Sequence, residues 1–351
     1  MPLRAVTGHR SLIRLLARAV SQDTLPPTLL FAGPEGVGKR AVAIALAQAI
    51  NCETPLRTPA SSKAADDHPE FDACGVCRNC ERIERRLHGE VRLLEPNDTG
   101  KILVDPVREV VRQAGYTPFE GRTRVVIFDR ADRLTPEAQS ALLKILEEPP
   151  AALVVILVSS RPDALFPTVL SRCPRFRFGR LTATEVTELL VRDHGYAEGD
   201  ARAVAATADG SLGLALRLDS DDMASARECA SRSLQSSATT TDSKRRLVAI
   251  KELFEEFLEK KNVPATREAF ALMLQAMMSL LRDIGLVNSR ADRKGLANSD
   301  LESDLTKLAI DYGDGSDRVL NAFSAVDRAL DALTVRNANP KIVADWLMLQ
   351  L

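Results

Sequence analysis

Four cysteines in the first quarter of the chain are spaced as ligands of one metal ion. Cys74, Cys77 and Cys80 form a C-x2-C-x2-C run, and 21 residues separate Cys52 from the first of them. Four thiolates suit tetrahedral Zn²⁺ and leave no position for water, so the sequence predicts a structural zinc site. Disulfides and an iron–sulfur cluster are the alternatives for the same residues. A bound metal would order the polar insert 53–72, which has few large apolar residues.

The sequence GPEGVGKR, from Gly33 to Arg40, matches the pattern of a phosphate-binding loop. Gly33, Gly38 and Lys39 occupy the fixed positions of G-x-x-x-x-G-K. Together with Gly36, these glycines permit a tight turn whose backbone N–H groups point inward. Lys39, beside a helix N-terminus, can neutralise β- and γ-phosphate charge. The sequence therefore predicts nucleotide-phosphate binding, and the alternative is a glycine-rich turn that keeps the shape without the ligand.

Two arginines stand where an ATP-hydrolysing enzyme needs other chemistry. Arg40 takes the place of the Ser or Thr whose hydroxyl binds Mg²⁺, and a guanidinium has only donors. Asp129 ends an apolar strand, where a second Mg²⁺ ligand lies in nucleotide hydrolases. Arg130 follows it in place of the glutamate that polarises the attacking water. The sequence thus predicts a nucleotidase scaffold without hydrolysis, and an autonomous ATPase is the competing interpretation.

Arg172 lies in the tripeptide Ser171-Arg172-Cys173, after a short apolar helix. A single arginine is normally a solvated surface charge. An arginine held at the edge of a nucleotide-binding domain can instead reach the γ-phosphate bound by a neighbouring subunit, as an arginine finger. Arg172 is therefore a candidate catalytic residue that acts in trans.

These side chains need an α/β scaffold that brings strand ends and helix starts together. Four apolar runs predict buried strands, at 28–32, 124–129, 153–158 and 175–178. A helix over 41–50 is predicted after the phosphate loop. Thr135 can cap a further helix with Pro136 in its first position, and Pro149 and Pro150 stop that helix.

Helix signals place the end of the α/β domain, which is predicted to span residues 1–179. Thr182 and Glu185 have the spacing of a capping box at the start of the next helix. A second helix is predicted over 200–208. The two helices would form a small helical lid over 180–219.

The remaining residues, 220–351, predict an all-α domain. A polar stretch from Ser220 to Thr241 predicts a linker that is followed or interrupted by a helix. Two apolar packing stripes follow at intervals of three and four residues. The first consists of Phe270, Leu274, Met277, Leu281 and Ile284, and the second, on a final helix, of Leu320, Phe323, Val326, Leu330 and Leu333. Both an oligomerisation domain and an independent helical bundle are compatible with these stripes.

The composition limits the function classes. Apolar residues make up 45% of the chain, aromatic residues 4%, and the net charge is −1. A chain that binds DNA by itself through the phosphates is usually markedly basic. A zinc-dependent nucleic-acid-binding module is therefore an alternative that rests only on the basic residues around Cys77.

The start of the chain and its apolar stretches bear on where the protein is located. Met1 to Arg4 begin no signal peptide, and we expect no apolar stretch near the ~20 residues of a membrane span. The expected location is the cytoplasm, without membrane contact. A reducing compartment keeps thiolates available for metal.

Several segments together resemble one family. They are LLKILEEPP at 142–150, SRC at 171–173, HGEVRLLEP at 88–96, IxVDxxR at 102–108, RNANPK at 336–341, the phosphate loop and the four cysteines. With these segments the chain resembles the bacterial clamp-loader ATPases of the AAA+ class, and among them the delta-prime subunits of DNA polymerase III. The resemblance extends over nearly the whole chain.

The gamma/tau motor subunits are the alternative within that family, because they share the cysteines, the LEEPP helix and SRC. A gamma/tau subunit is expected to have Thr after the loop lysine, Glu after the strand aspartate, and Arg after G-S-x near the end of the lid. This chain has Arg40, Arg130 and Gly213 at these places. The departures favour the delta-prime type, and the chain length agrees with that expectation.

The resemblance implies a fold and a role. The implied fold is an AAA+ parallel-sheet phosphate-loop domain with a zinc-binding insert, then the lid, then an all-α collar over 220–351. The family forms a spiral of subunits that opens the sliding clamp and closes it around primer-template DNA, with ATP at the subunit interfaces. As the fixed, non-motor (stator) member, the chain is expected to assemble with gamma/tau and delta subunits and to lend Arg172 to a gamma/tau ATP site.

The resemblance also implies which cofactors to expect. The chain would belong to the DNA polymerase III holoenzyme without an ATPase activity of its own. Its implied cofactor is structural Zn²⁺, held by the four cysteines. Whether Lys39 binds ATP stays open at this point.

Overall fold

The computed structural model describes most of the chain, in two compact units, Met1–Leu181 and Thr182–Leu351. The described residues are 1–57, 69–208, 210–216, 220–239, 248, 252, 267–289, 296, 298, 301–313, 316–334, 336 and 338–351. The first unit is α/β, and the described residues of the second unit form helices.

The first unit contains a parallel sheet of five strands, in the order β4-β5-β6-β1-β7. The strands of this unit are β1 (Thr28–Ala32), β2 (Leu56–Arg57), β3 (Phe71–Asp72), β4 (Val91–Leu94), β5 (Arg124–Phe128), β6 (Leu153–Ser159) and β7 (Arg175–Arg177). Every residue of β1 and β6 is buried, as expected of a parallel sheet that is covered on both faces. The predicted α/β phosphate-loop fold is confirmed.

Helices cover the two faces of this sheet. They are α1 (Arg10–Ser21), α2 (Lys39–Asn51), α3 (Arg78–Glu84), α4 (Val104–Ala114), α5 (Pro136–Glu147) and α6 (Pro167–Leu170). Side chains alternate along β1, so Leu29 and Phe31 pack in one core with Leu46 of α2, whereas Leu30 packs in the other with Leu142 of α5. Full burial of each such large side chain contributes roughly 2 kcal/mol.

The strands and helices of this unit follow the sequence closely. Each of the four predicted strands lies within one residue of its predicted bounds. The helix after the phosphate loop begins at Lys39, two residues earlier than predicted. Thr135 caps α5 as predicted, since its Oγ1 accepts a hydrogen bond from the N–H of Ala138 at 3.3 Å, and Pro136 is the first helical residue.

The insert with the cysteines begins and ends as a short antiparallel pair. Leu56 pairs with Asp72, and Arg57 pairs with Phe71. Phe71 is buried in the core that contains α1 and α2. Residues 58–68 of the predicted insert lie outside the described residues.

The second unit starts as predicted. Its helices are α7 (Ala183–His194), α8 (Glu198–Thr207), α9 (Leu212–Ala215), α10 (Ser220–Thr239), α11 (Arg267–Asn288), α12 (Glu302–Tyr312), α13 (Ser316–Thr334) and α14 (Pro340–Gln350). The capping box of α7 is present in both directions. The N–H of Glu185 donates to Thr182 Oγ1 at 3.2 Å, and the N–H of Thr182 donates to Glu185 Oε2 at 2.8 Å.

The polar stretch after the lid was predicted as a linker that is followed or interrupted by a helix, and the helix takes up nearly all of it. Residues Ser220–Thr239 form one continuous helix. Its buried side chains recur at helical spacing, but most of them are small or polar: Ala226, Cys229, Ala230, Ser233, Leu234 and Ser237. A face of small residues packs closely against its neighbours without the large apolar side chains by which a buried stripe is recognised.

The packing stripes are confirmed in part. All five residues of the first stripe, on α11, are buried. On α13, Val326 and Leu333 are buried, but Leu320 is 62% exposed, and Val319 and Ala322 are buried instead. The helix that carries this stripe is also not the last one, because α14 follows it. The start of α14 is capped by Asn339, whose Oδ1 accepts from the N–H of Lys341 at 3.0 Å.

Within the described part of the chain, one helix has the length and apolarity of a membrane span, which contradicts our expectation of no such stretch. Residues Ala269–Asn288 have a mean hydropathy of 1.5 over the most apolar 18-residue window. Within the protein, 61% of that window is buried. A core helix of a folded domain gives the same signal, so the stretch is weak support for a membrane segment.

Candidate nucleotide site and metal centre

The phosphate loop connects the carboxyl end of β1 to the amino end of α2. At its start, a Cβ on Gly33 would lie 2.2 Å from the backbone oxygen of Phe178, so only glycine fits beside this segment. At its end, Gly38 has φ 96°, a conformation that L side chains rarely adopt, and apart from its chain neighbours no atom lies within 4 Å of where its Cβ would be. The loop therefore has the predicted turn and open space at the helix start.

Lys39 is enclosed by the loop to which it belongs. Its ammonium group donates to the backbone oxygen of Gly33 at 2.7 Å and to that of Pro34. Burial lowers the pKa of Lys39 to about 8, although the negative charges of Glu35, Asp129 and Asp132 act in the opposite direction. The side chain is thus held inside the loop, at the place where phosphate would bind.

Arg40 is paired with the residue that would hold magnesium. Its Nη1 lies 2.6 Å from Glu95 Oε1 and 3.2 Å from Asp129 Oδ2. Arg86 contacts the other oxygen of Glu95, with Nη1 2.8 Å from Oε2. A guanidinium group therefore neutralises the carboxylate of Asp129 at the carboxyl end of β5.

Arg130 makes a second such pair across the loop. Its backbone has φ 53°, and its N–H donates to Asp129 Oδ1 at 3.1 Å. Its side chain forms an ion pair with Glu35 of the phosphate loop. The sequence identified Arg40 and Arg130 but not their partners Glu35 and Glu95. For Glu35, its place within the loop motif was a usable signal.

Arg172 lies at the opposite edge of the sheet. Its backbone oxygen accepts a hydrogen bond at 2.7 Å from Oγ1 of Thr28, the first residue of β1, whereas the phosphate loop follows the last residue of β1. A strand of five residues spans about 15 Å. The structure therefore separates Arg172 from the loop of its own chain.

Several contacts orient the side chain of Arg172, among them a hydrogen bond from Nη1 to Ser171 Oγ at 3.3 Å. Nη1 donates to the backbone oxygen of Thr168 at 2.8 Å, and Nη2 lies 2.9 Å from Glu147 Oε1. Glu147 is the last residue of α5, in the LEEPP motif. About a third of the Arg172 side chain stays exposed, so the group is both oriented and accessible.

The Sγ atoms of the four predicted cysteine ligands surround one position. Their Sγ atoms all lie within 4.8 Å of one another. Cys52 and Cys77 are 3.9 Å apart, and Cys74 and Cys80 are 4.0 Å apart. Four sulfurs at about 2.3 Å from a tetrahedral Zn²⁺ would lie about 3.8 Å from each other. All four thiols are free, so this donor set fits a tetrahedral metal ion.

Local hydrogen bonds and burial set the charge of these thiols. The N–H of Cys74 donates to Cys52 Sγ, and those of Val76 and Cys77 donate to Cys74 Sγ, at 3.2 to 3.4 Å. Burial raises the pKa of Cys52 and of Cys80. For Cys74, burial also acts upward, but hydrogen bonds with Thr54, Val76 and Cys77 outweigh it and bring the pKa to about 6.

The N-terminal segment holds the cysteine cluster from outside. The buried carboxylate of Asp72 accepts from the N–H groups of Leu3 and Arg4, at 2.8 and 2.9 Å. The guanidinium of Arg4 donates to the backbone oxygens of Ala73 and Cys74, at 2.7 and 3.0 Å. These contacts cross nearly 70 positions of sequence, and no local pattern indicated them.

Comparison with known proteins connects this geometry to a family. Residues 8–182 match the family described as "DNA polymerase III, delta subunit". A DNA polymerase III subunit tau of Salmonella typhimurium is 30% identical over 317 residues, which cover 87% of this chain and 47% of that protein. The chain belongs to the family of DNA polymerase III clamp-loader subunits. The family match contains all the site residues that the sequence predicts.

Other clamp-loader relatives show the same partial coverage. Subunit tau of Escherichia coli is 32% identical over 226 residues, which cover 63% of this chain and 33% of that protein. Subunit gamma/tau of Mycobacterium tuberculosis is 32% identical over 187 residues, or 53% of this chain and 30% of that protein. The chain thus spans less than half the length of these relatives.

The chain also resembles solved structures at low sequence identity. A DNA polymerase III gamma subunit-related protein of Thermotoga maritima has a TM-score of 0.38 at 17% identity, covering 90% of this chain and 98% of that one. A DNA clamp loader delta protein of Bacillus subtilis has a TM-score of 0.33 at 13% identity, covering 95% and 98%. The family assignment depends on the sequence matches.

Proposed function

We propose that this clamp-loader subunit is a non-motor (stator) subunit of the delta-prime type, which lends Arg172 to the ATP site of a neighbouring gamma/tau subunit. The observation that carries the proposal is the position of Arg172, at the amino end of β1 and away from the loop at the carboxyl end. An arginine in that position is too far from the phosphate loop of its own chain to act on a nucleotide bound there. It can stabilise transition-state charge only on a nucleotide that a second molecule binds.

The chemistry of the chain's own loop supports the same role. Asp129 is paired with Arg40, and Arg130 replaces the residue that would polarise water. A divalent metal bound there would have to displace a guanidinium at 3.2 Å. Intrinsic ATP hydrolysis is therefore not expected.

The rest of the molecule fits a structural partner in such an assembly. The four cysteines, Cys52, Cys74, Cys77 and Cys80, would hold a structural Zn²⁺ that fixes the insert against α2. Residues 180–219 would form the lid, and residues 220–351 the collar that holds subunits in a ring. The partners would be gamma/tau and delta subunits, and through them the sliding clamp and primer-template DNA, in the cytoplasm.

A second candidate is an ATP-hydrolysing subunit of the gamma/tau type. It is favoured by the similar proteins, which are tau and gamma/tau subunits of DNA polymerase III. The phosphate loop with Lys39 also fits it. The two candidates differ in one measurement, because a gamma/tau-type subunit hydrolyses ATP as a purified chain and loses this activity in Lys39→Ala.

The stator role is tested by Arg172→Ala in a complex reconstituted with gamma/tau and delta subunits. Hydrolysis at the neighbouring site should fall on the order of 10³-fold, because an arginine finger contributes at least that much to phosphoryl transfer. The DNA-stimulated ATPase of the complex then loses the share of that one site. Gel filtration should show unchanged assembly.

Arg175→Ala is the matched control for this experiment. Arg175 is an exposed arginine three residues further along, on the edge strand β7, and its removal should leave the ATPase rate unchanged. Arg172→Lys keeps the charge but not the planar donor fork, so it should remain impaired. An unaltered rate for Arg172→Ala in an intact complex would rule out the finger role.

A further inference from the structure

The phosphate loop suits the phosphate groups of a nucleotide but not the Mg²⁺ ion that usually accompanies them. On the phosphate side, the loop keeps its turn, with positive φ at Gly36 and Gly38, and Lys39 lies within it at the start of α2. On the metal side, Asp129 already accepts a guanidinium at 3.2 Å, and Arg40 has no lone pair for Mg²⁺. The anion site is thus retained, and the residues at the cation site do not fit a magnesium ion.

Arg40 carries positive charge at the place where a metal would carry it. Both of its carboxylate contacts, to Glu95 and Asp129, use the same nitrogen, Nη1. A guanidinium has further donors on Nη2 and Nε, and the Arg40 side chain is 32% exposed. The two carboxylates can therefore hold the group in place while its other donors face an incoming phosphate.

We propose that the loop binds the phosphates of a nucleoside di- or triphosphate without a divalent metal, with the guanidinium of Arg40 as the counter-charge in place of Mg²⁺. This goes beyond the stator role, which uses only Arg172. The bound nucleotide stays intact, because neither a metal nor a base at position 130 activates water. It acts as a structural ligand that stabilises the first unit.

The test is the nucleotide affinity of the full chain with and without a divalent cation. Fluorescent ADP and ATP analogues are titrated in excess EDTA and in excess Mg²⁺. The two dissociation constants should agree within about threefold. An affinity gain of about tenfold or more with Mg²⁺ overturns the proposal, and so does the absence of binding in both buffers.

Competition separates the phosphates from the base as the source of affinity. Unlabelled ADP and inorganic tripolyphosphate should both displace the analogue in EDTA, because the loop contacts would be made to phosphate oxygens. Displacement by ADP but not by tripolyphosphate would contradict recognition through the loop. Lys39→Ala should weaken binding in both buffers.

Three substitutions isolate the role of Arg40. Arg40→Thr supplies a hydroxyl ligand and frees Asp129, so affinity should fall about tenfold in EDTA and recover in Mg²⁺. Arg40→Gln is the matched control, since it removes the cation without supplying a metal ligand, and its affinity should fall in both buffers. Equal affinity of the wild type and Arg40→Gln in EDTA would refute the role of Arg40.

Asp129→Asn should change the nucleotide affinity differently in a magnesium site and in a metal-free site. In a magnesium site, loss of this carboxylate weakens nucleotide binding. In the metal-free site proposed here, the nucleotide affinity should stay unchanged or rise, because Arg40 keeps its contact with Glu95 and no longer pairs with the carboxylate that competes with phosphate for it. A loss of about tenfold contradicts the proposal. Thermal unfolding with and without ADP verifies that each variant folds. None of these results involves Arg172, so their failure would leave the stator role standing.

Discussion

Helix α2 has a charged site at each end, and the charge is neutralised differently at the two sites. Its first residues are the cations Lys39 and Arg40, and the residue that follows its last turn is Cys52, in the four-cysteine cluster. The helix has 13 residues, so about 20 Å separate the two ends. The two sites can therefore be compared on one rigid element.

The helix dipole opposes the charge at both ends. Cations lie at the amino end, which carries partial positive charge, and thiolates would lie at the carboxyl end, which carries partial negative charge. At the amino end the chain supplies the opposite charge itself, through Asp129 and Glu95. At the cysteine cluster the described donors to sulfur are neutral: backbone N–H groups and the side chain of Thr54. From this comparison we expect the first site to need no added cation and the second site to need a metal ion.

The largest expected effect is that of removing metal from the cysteine cluster. Chelation should lower the free energy of unfolding on the order of 5 kcal/mol or more, because metal binding to four thiolates is coupled to folding of the segment that carries them. The measurement is the unfolding midpoint before and after chelation, together with zinc content by atomic absorption. Added Mg²⁺ or its removal should leave the midpoint unchanged.

Two cysteine variants provide the control. Cys80→Ala removes a predicted ligand and should abolish stoichiometric zinc and lower the midpoint. Cys173→Ala removes a thiol that is also buried but lies outside the cluster, and it should keep the zinc. Equal zinc content in the two variants, or a chelated chain as stable as the untreated one, would break the comparison.

An intermediate effect is expected from the buried ammonium at the amino end of α2. Burial lowers the pKa of Lys39 to about 8 from an ordinary value of 10.5, so between these values the unfolded chain binds the proton more strongly than the folded chain. The free energy of unfolding of the wild type, relative to Lys39→Met, should therefore rise with pH over this window, by up to about 3 kcal/mol. Below pH 8 the difference should be constant.

The measurement for Lys39 is denaturant unfolding of both chains at several pH values. Taking the difference between the two chains removes the contribution of other titrating groups. A difference that stays flat or falls from pH 8 upward would contradict the effect of burial. In that case the two carbonyl contacts to Gly33 and Pro34 would compensate the lost hydration of the ammonium group.

Much of the first unit could be predicted because its signals are local. A run such as Leu29 to Phe31 is apolar at every position, and a short run of this kind before a glycine-rich turn is typical of a strand covered on both faces. The cap at Thr135 depends on residues three positions apart. The ion pair between Arg40 and Glu95 spans 55 positions, and strand order in the sheet creates it, so the arginine could be identified from the sequence but its partner could not.

The position of Arg172 shows the same limit. Its type and motif were visible in the sequence. Its distance from the phosphate loop follows only from the pairing of β7 with β1, which brings Arg172 to Thr28. That pairing decides whether the arginine can serve its own nucleotide.

In the second unit, composition was the misleading signal. Residues of α10 are mostly polar or small, and a helix that packs through Ala226, Ser233 and Ser237 resembles a linker in hydrophobicity. Leu320 was expected in a buried stripe because it is apolar, but helix geometry turns it outward and buries Val319 and Ala322. Small residues can be recognised as buried only when the positions of the neighbouring helices are known, and the sequence pattern does not give those positions.

The smallest expected effect is that of Glu95→Gln, which removes one of the internal charges beside the phosphate loop. Glu95 is more than a third exposed and pairs with both Arg40 and Arg86, so the loss should be below about 1 kcal/mol and should shrink at high salt. Unfolding midpoints at low and high salt measure it, with Glu109→Gln, which removes the surface pair with Arg112 on α4, as the control.

A loss of about 2 kcal/mol or more would mean that the pairs at the amino end of α2 hold the fold together, as the metal is expected to do at the other end. A small loss instead means that these carboxylates mainly balance the charge of the arginines and leave stability to the cores, so that the contrast between the two ends of α2 is a contrast in the source of the cation.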